Sequence, residues 1–183
     1  MGLLDFGLAG IICPYVSSGE ECRRFVSACR YPPLGVRNSN LPRASAYHRN
    51  AAAYYVAARE RELVIAMIES TRGLENLDEI AATPGLDVLQ LGPSDLALSR
   101  FGFPIPPAEA GRFIEDAHGQ LLATARRHGL RAAANAPHAA RARELVAMGY
   151  DLIYLGADLF DLADHYRTAL GQLADVRQPR GAA

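Results

Sequence analysis

Two carboxylates stand where two apolar runs stop. Glu69 follows "ELVIAMI" (residues 62–68), and Asp95 closes the turn Gly92-Pro93-Ser94-Asp95 that follows "LDVLQL" (86–91). If both runs are buried parallel strands, the two side chains can reach the same crevice, because ligand sites in such sheets lie at the carboxyl ends of the strands. Two ionised carboxylates held close together repel, unless one takes a proton or a cation bridges them. A hard divalent ion such as Mg²⁺ or Mn²⁺ suits a pair of carboxylates plus water. The Gly-Pro-Ser turn would also open backbone N–H groups at the start of a short helix (96–100), a terminus that binds an anion such as a substrate carboxylate. A plainer reading competes: Asp95 or Ser94 caps that short helix, and Glu69 pairs with a loop arginine. Glu75, Asp78 and Glu79 fall inside a helical stretch and read as solvated.

The elements that must position these groups alternate regularly. Residues 8–16, "LAGIICPYV", read as a buried strand, and 20–30 as a helix. Pro32 and Pro33 break any continuation, and 44–61 read as an alanine- and tyrosine-rich helix. After the strand at 62–68 comes a helix that Thr71 could cap, with Leu74, Leu77, Ile80 and Ala81 as its apolar stripe and Pro84-Gly85 as its stop. The strand at 86–91 is followed by a proline-rich loop (101–107), a helix at 108–128 ended by Gly129, and a weak strand, "LRAAANA". A helix at 137–148, a strand at 151–156 and a helix at 159–173 complete the pattern, with residues 177–183 expected to fray. Five strands alternating with five helical segments call for right-handed crossovers and a helix-covered parallel sheet. That sheet is either open and doubly wound or part of a (β/α)₈ barrel. A full barrel takes about 250 residues, and this chain has 183.

The totals exclude several classes. A formal net charge of −1, from 19 basic and 20 acidic side chains, gives no electrostatic footprint for nucleic acid or an anionic membrane. No apolar stretch reaches the roughly 20 residues of a membrane span, and no basic segment precedes an apolar core as in a secretory signal. Cys13, Cys22 and Cys29 form no Cys-x-x-Cys pair, which fits reduced thiols and a cytoplasmic setting.

Several motifs occur together and in order. "IESTRGLENLDEIAATPGLDVLQLGPSDLA" resembles the strand ends that carry the metal carboxylates in the HpcH/HpaI aldolase/citrate lyase family, the pyruvate-type class II aldolases. "YPPLGVR" (31–37) is similar to that family's Tyr-Pro-Pro-x-Gly-x-Arg turn. "LDFGLAGIICPYVSSGEE" and "RASAYHRNAAAYYVAARER" resemble the segments on either side of it, so the likeness runs from Leu3 to about Ala174. The resemblance implies an incomplete (β/α)₈ barrel of about five parallel strands, a single partial domain over residues 1–176 that matches the family from its fourth strand onward. It implies Glu69 and Asp95 as ligands of Mg²⁺ or Mn²⁺, and the amides of Ser94 and Asp95 as the cradle for a 2-oxo acid such as pyruvate. It places Asp5 in the proton-transfer network as a catalytic residue, Ser39 and Asn135 along the aldehyde or acid pocket, and Arg37 among the substrate-binding residues or as a loop anchor. The implied activity is a metal-dependent carbon–carbon lyase for 4-hydroxy-2-oxo acids, working through a pyruvate enolate. Small 2-oxo acids and aldehydes would be its partners, aromatic-compound catabolism a setting, and a homo-oligomer its assembly.

Departures from the family pattern carry expectations too. Met67 stands two positions before Glu69, where relatives carry a polar residue, and Asn38 replaces a frequent glycine. The family's proton-transfer histidine and keto-polarising arginine have no counterpart here. His118, His128 and His165 read as surface helix residues, and His138, which follows a strand, as a cap or a solvent-exposed residue ahead of one facing the crevice. Weak metal binding and slow or absent turnover by this chain alone are therefore expected. Two alternatives stand beside the aldolase: a non-catalytic relative that binds a 2-oxo acid, and a citryl- or malyl-thioester lyase using coenzyme A.

Overall fold

The computed structural model describes residues 2–39 and 43–173. In chain order the elements are α1 (Gly2–Asp5), β1 (Gly10–Cys13), α2 (Gly19–Cys29), a 3₁₀ turn (Arg43–Ser45), α3 (Ala51–Arg61) and β2 (Leu63–Ile68). Then follow α4 (Thr71–Glu75), α5 (Leu77–Ala81), β3 (Val88–Leu91), α6 (Pro93–Phe101), α7 (Pro107–His128), β4 (Arg131–Ala136), α8 (Ala139–Met148), β5 (Leu152–Leu155) and α9 (Asp158–Gln172). All neighbouring strands pair in parallel in the order β1-β2-β3-β4-β5. The result is a curled half-barrel with helices around its outer face, which decides between the two closures the sequence left open.

Each strand sorts its side chains by parity, because successive residues point to opposite faces. Val64, Ala66 and Ile68 of β2, Leu89 and Leu91 of β3, and Ala132, Ala134 and Ala136 of β4 join the helices in the main core. Cys22 and Val26 of α2, Ile80 of α5, Leu121 of α7 and Leu145 of α8 pack against them. The opposite parity builds the concave inner face: Ile65, Val88 and Ala133, flanked by the partly buried Ile12, Leu63, Leu152 and Tyr154. Glu69 continues the inner parity of β2, one step beyond Ile65 and Met67. The three cysteines are free thiols, and burial pushes that of Cys29 up to about 11.

The amino-terminal edge of the sheet is held by buried charge. Arg37 is 2 % exposed; its Nη1 donates to Glu62 Oε2 at 2.6 Å and its Nη2 to Asp5 Oδ1 and Tyr54 Oη, each at 2.9 Å. Its guanidinium also lies 4.5 Å from the centre of the Tyr31 ring. Burial opposes the charge on Arg37, but the hydrogen bond to Asp5 and the charge of Glu62 outweigh it and keep the group firmly protonated. Arg30 donates to the carbonyls of Gly85 and Glu62 and pairs with Asp87. Asp87 in turn accepts the Val64 N–H at 2.6 Å, and Asp151 accepts that of Ala132 at 2.9 Å. An aspartate thus enters each of β3 and β5 by closing a backbone donor on the strand beside it.

Some local expectations change. The helix expected from residue 44 begins at Ala51, because Ala46, Tyr47 and His48 have positive φ and cannot continue a right-handed helix. The helix at 71–81 divides at Asn76 into α4 and α5, and its cap is Ser70 rather than Thr71, with Ser70 Oγ accepting the Gly73 N–H at 3.0 Å. The expected frayed tail, 177–183, lies outside the described residues. No described helix is long and apolar enough to cross a membrane.

Removing the cation from the amino-terminal cluster tests its role. Arg37→Met should cost about 3–5 kcal/mol of unfolding free energy in urea titrations, because Asp5 and Glu62 would remain without their partner. A loss below about 1 kcal/mol would show that this cluster does not hold the edge.

Candidate active site at the carboxyl-terminal rim

The loops beyond β1, β2 and β3 meet around Glu69. Its residue is 5 % exposed, and its Oε1 accepts the Tyr15 N–H at 2.9 Å. Tyr15 itself has a φ of 57°, which aims that amide across the rim. Neighbouring bonds tie the loops together: Ser17 Oγ meets Ser70 Oγ at 2.8 Å, and Asn76 Nδ2 donates to the Ser17 carbonyl at 2.9 Å. The other carboxyl oxygen, Oε2, presses on Gly92, where an added Cβ would come within 2.6 Å of it and 2.8 Å of Glu69 Cβ. Gly92 has an ordinary negative φ, so glycine is required there for space rather than for backbone freedom.

Asp95 lies in the first turn of α6, exposed, and its charge reaches Glu69. The Glu69 carboxyl is held above its usual range, first by burial and further by Asp95, against the opposing hydrogen bond from Tyr15. Among the described residues neither carboxylate has an ion-pair partner, so the loop arginine of the plainer reading is absent. Asp95 and Ser94 make no side-chain cap to α6. The start of α6 instead exposes two amides. Pro93 has no N–H, Leu96 N–H is bonded to the Gly92 carbonyl at 3.1 Å, and Ser94 and Asp95 N–H stand between them with no described acceptor.

This donor set fits a hard divalent cation. Neither carboxylate has a cationic partner among the described residues, the charge of Asp95 reaches Glu69, and that repulsion is what a dication would remove. Among the described residues no third histidine, cysteine, aspartate or glutamate joins them. Water and substrate oxygens would fill the remaining positions, as such ions commonly allow. One alternative chemistry is closed to this chain. All 19 of its basic side chains are arginines, so it has no lysine with which to form a Schiff base.

The expected site residues separate into two groups. Glu69, Ser94 and Asp95 come together at the rim, and Asn135 lies on the inner parity of β4, lining the adjoining cleft with Met67 and Tyr154. Ser39 is exposed and makes no described contact with this rim. Asp5 and Arg37 do not join them. Their cluster is anchored at Glu62, and the six residues of β2 that separate Glu62 from Glu69 span roughly 20 Å. Arg37 thus anchors this end of β2 through Glu62, Asp5 and Tyr54. His118, expected at the surface, is buried with its Nδ1 2.6 Å from Tyr150 Oη, while His138 caps α8 by accepting the Arg141 N–H. The residues the sequence did not single out are Tyr15 and Gln90. Tyr15 lies two residues beyond β1 but inside the run read as strand to residue 16, and Gln90 sits inside an apolar run where only the register reveals its direction.

Glu69 leaves a pH signature. Because its folded value lies above the unfolded one, the folded state binds the proton more tightly, and stability falls as pH rises through the range just above an ordinary carboxylate. Metal-free Glu69→Gln should therefore be at least as stable as the parent at pH 7 and should lose that fall, measured by chemical denaturation from pH 4 to 8 in chelator. A variant less stable than the parent at neutral pH would contradict this.

The chain was compared with known proteins. The HpcH/HpaI aldolase/citrate lyase family model matches residues 1–164. A 5-keto-4-deoxy-D-glucarate aldolase from Shigella dysenteriae is 33 % identical over 176 residues, which cover 95 % of this chain and 65 % of that protein. The chain thus spans about 65 % of the length of the curated relatives it matches. A crystal structure of a family protein from Burkholderia cenocepacia is 31 % identical, with a TM-score of 0.78 over 93 % of this chain and 66 % of that one. The crystal structure of an HpcH/HpaI aldolase from Desulfitobacterium hafniense, 22 % identical, shares the fold with a TM-score of 0.82 over 99 % of this chain and 69 % of that one. Motif order, half-barrel and family match agree: this chain belongs to the HpcH/HpaI aldolase/citrate lyase family.

Proposed function

We propose that this chain carries the cation site and 2-oxo-acid cradle of a class II aldolase that cleaves or forms 4-hydroxy-2-oxo acids. The observation that supports it is the pairing of two uncompensated carboxylates, Glu69 and Asp95, with two uncommitted amides on one rim. Glu69 and Asp95 would hold Mg²⁺ or Mn²⁺. When bound, such a cation supplies Lewis-acid stabilisation of the negative charge that develops on the keto oxygen. Ser94 and Asp95 N–H bind the substrate carboxylate, at a helix start whose dipole favours an anion. Tyr15 N–H fixes the Glu69 carboxyl, and Gly92 leaves room for it. The cleft beside Asn135 receives the aldehyde half. In the cleavage direction the hydroxyl on C4 loses its proton, the C3–C4 bond breaks, and the pair left on C3 takes up a proton. The products are a 2-oxo acid and an aldehyde.

Assembly between copies belongs to the same proposal. Helix α9 has no buried residue, and Leu159, Phe160, Leu162, Tyr166 and Leu170 are all exposed. Beside it, Ala142, Val146, Ile153 and Leu155 line an apolar groove between α8 and β5. A helix with an unburied apolar stripe and a groove without a helix complement each other across two copies. The parent should run as a multiple of its single-chain mass in light scattering, and Leu162→Ser with Leu170→Ser should shift it toward the single chain. A monomeric parent would refute the assembly.

For the site, Mg²⁺ or Mn²⁺ should raise the thermal midpoint, and pyruvate should raise it further only when the cation is present. Both increments should vanish in Glu69→Ala and Asp95→Asn. Equal increments in parent and Glu69→Ala would remove the basis of the proposal.

A further inference from the structure

Below the carboxylate layer lies a buried amide that nothing in the site so far uses. Gln90 is 1 % exposed, in the middle of β3, and its register partners are Met67 on β2 and Ala133 on β4. Its parity is that of Val88, so its side chain belongs to the concave face rather than the helix-packed one. Gly92, two residues on, carries no side chain, and Glu69 and Met67 pack into the space its Cβ would take. Gln90 Nε2 donates to Asn135 Oδ1 at 3.1 Å, but Gln90 Oε1 is buried and has no partner among the described residues. Turning both amides over would put an unmatched N–H donor at the same corner of Gln90, and a hydroxyl, which both donates and accepts, would match either group.

An orphaned buried acceptor destabilises a fold and so calls for an explanation. Gln90 lines a cleft of about 400 Å³ together with Ile12, Met67, Tyr154 and Phe160, and its unmatched oxygen lies buried at that wall. None of the lining residues carries a charged side chain, and burial pushes the Tyr154 phenol up, so it remains a neutral hydroxyl. The walls are apolar, the floor offers an unmatched acceptor, and Asn135 and Tyr154 add neutral polar groups beside it.

We propose that Gln90 is a specificity-determining residue whose amide accepts a hydrogen bond from a hydroxyl of the aldehyde half of the substrate, so that the cleft selects neutral hydroxyaldehydes. An apolar aldehyde leaves the acceptor unmatched, and an aldehyde bearing a carboxylate must give up its hydration in a cleft with no countercharge. This rests on the aldolase reading of the same rim, and names the class of its second substrate.

The test titrates the full chain, ¹⁵N-labelled and supplied with Mg²⁺ and pyruvate, with glyceraldehyde, propionaldehyde and succinic semialdehyde. Glyceraldehyde should shift the side-chain amide signals of Gln90 and Asn135 and bind about tenfold more tightly than the other two. Gln90→Leu should abolish that preference by weakening glyceraldehyde alone. It should also be as thermally stable as the parent or more so, because it removes an unmatched buried amide. Equal affinities for the three aldehydes in the parent, or a preference unchanged in Gln90→Leu, would overturn the proposal. The Mg²⁺-induced thermal shift, which depends on Glu69 and not on Gln90, is read on the same samples. Its persistence alongside equal affinities would reject the role of Gln90 while leaving the cation site standing, and its absence would reject the site itself.

Discussion

The like charges of Glu69 and Asp95 at one rim are the constraint on which this structure turns. Glu69 is buried, one of its oxygens is engaged by a backbone amide from the neighbouring loop, and the other rests against a residue that must be glycine. Among the described residues nothing positive answers it. Such an arrangement is unfavourable in isolation, since burial and a nearby carboxylate both resist ionisation. It becomes intelligible when the missing charge comes from a ligand. The first turn of α6 then contributes both a carboxylate side chain and two free amides within a few residues, so one short segment can address a cation and an anion together.

Stability and chemistry occupy opposite edges of the sheet. At the amino-terminal edge every buried charge is matched: Arg37 with Asp5 and Glu62, Arg30 with Asp87, and the entering aspartates with strand amides. At the carboxyl-terminal rim the two carboxylates lack a cation, and the Ser94 and Asp95 N–H groups and the Gln90 side-chain oxygen lack a partner, among the described residues. This division lets the strands act as rigid spacers, with the arginine clusters fixing their register and the loops free to carry function. The curled sheet adds a third feature. Its inner face is a layer of Ile65, Val88 and Ala133 that ends, toward the rim, in Gln90, Asn135 and Tyr154. Polarity therefore rises along the strands toward the two carboxylates.

Much of this was legible from residues alone, for identifiable reasons. The strand at 62–68 and the helix ended by Gly129 were read nearly to the residue, because an uninterrupted apolar run and a left-handed glycine are local signals. The position of Glu69 and Asp95 at strand ends followed from the same runs. What the sequence could not supply was direction across the sheet. Asp5 and Arg37 lie in motifs that precede β2, and only the sheet order and the bond to Glu62 place them a strand length away from Glu69. His118 looked like a surface residue of α7 because its partner, Tyr150, is 32 residues distant in the chain. Gln90 was hidden by its apolar neighbours, and the break of the helix at Asn76 by an apolar stripe that continues across it.

The most direct test of the account is a crystal of this chain grown or soaked with Mn²⁺ and a 2-oxo acid, with anomalous data recorded to locate the metal. The account predicts one strong anomalous peak within coordination distance of carboxyl oxygens from both Glu69 and Asp95, with the acid's carboxylate on the amides of Ser94 and Asp95. A metal bound elsewhere, or a rim that stays metal-free with Glu69 and Asp95 turned apart, would contradict it.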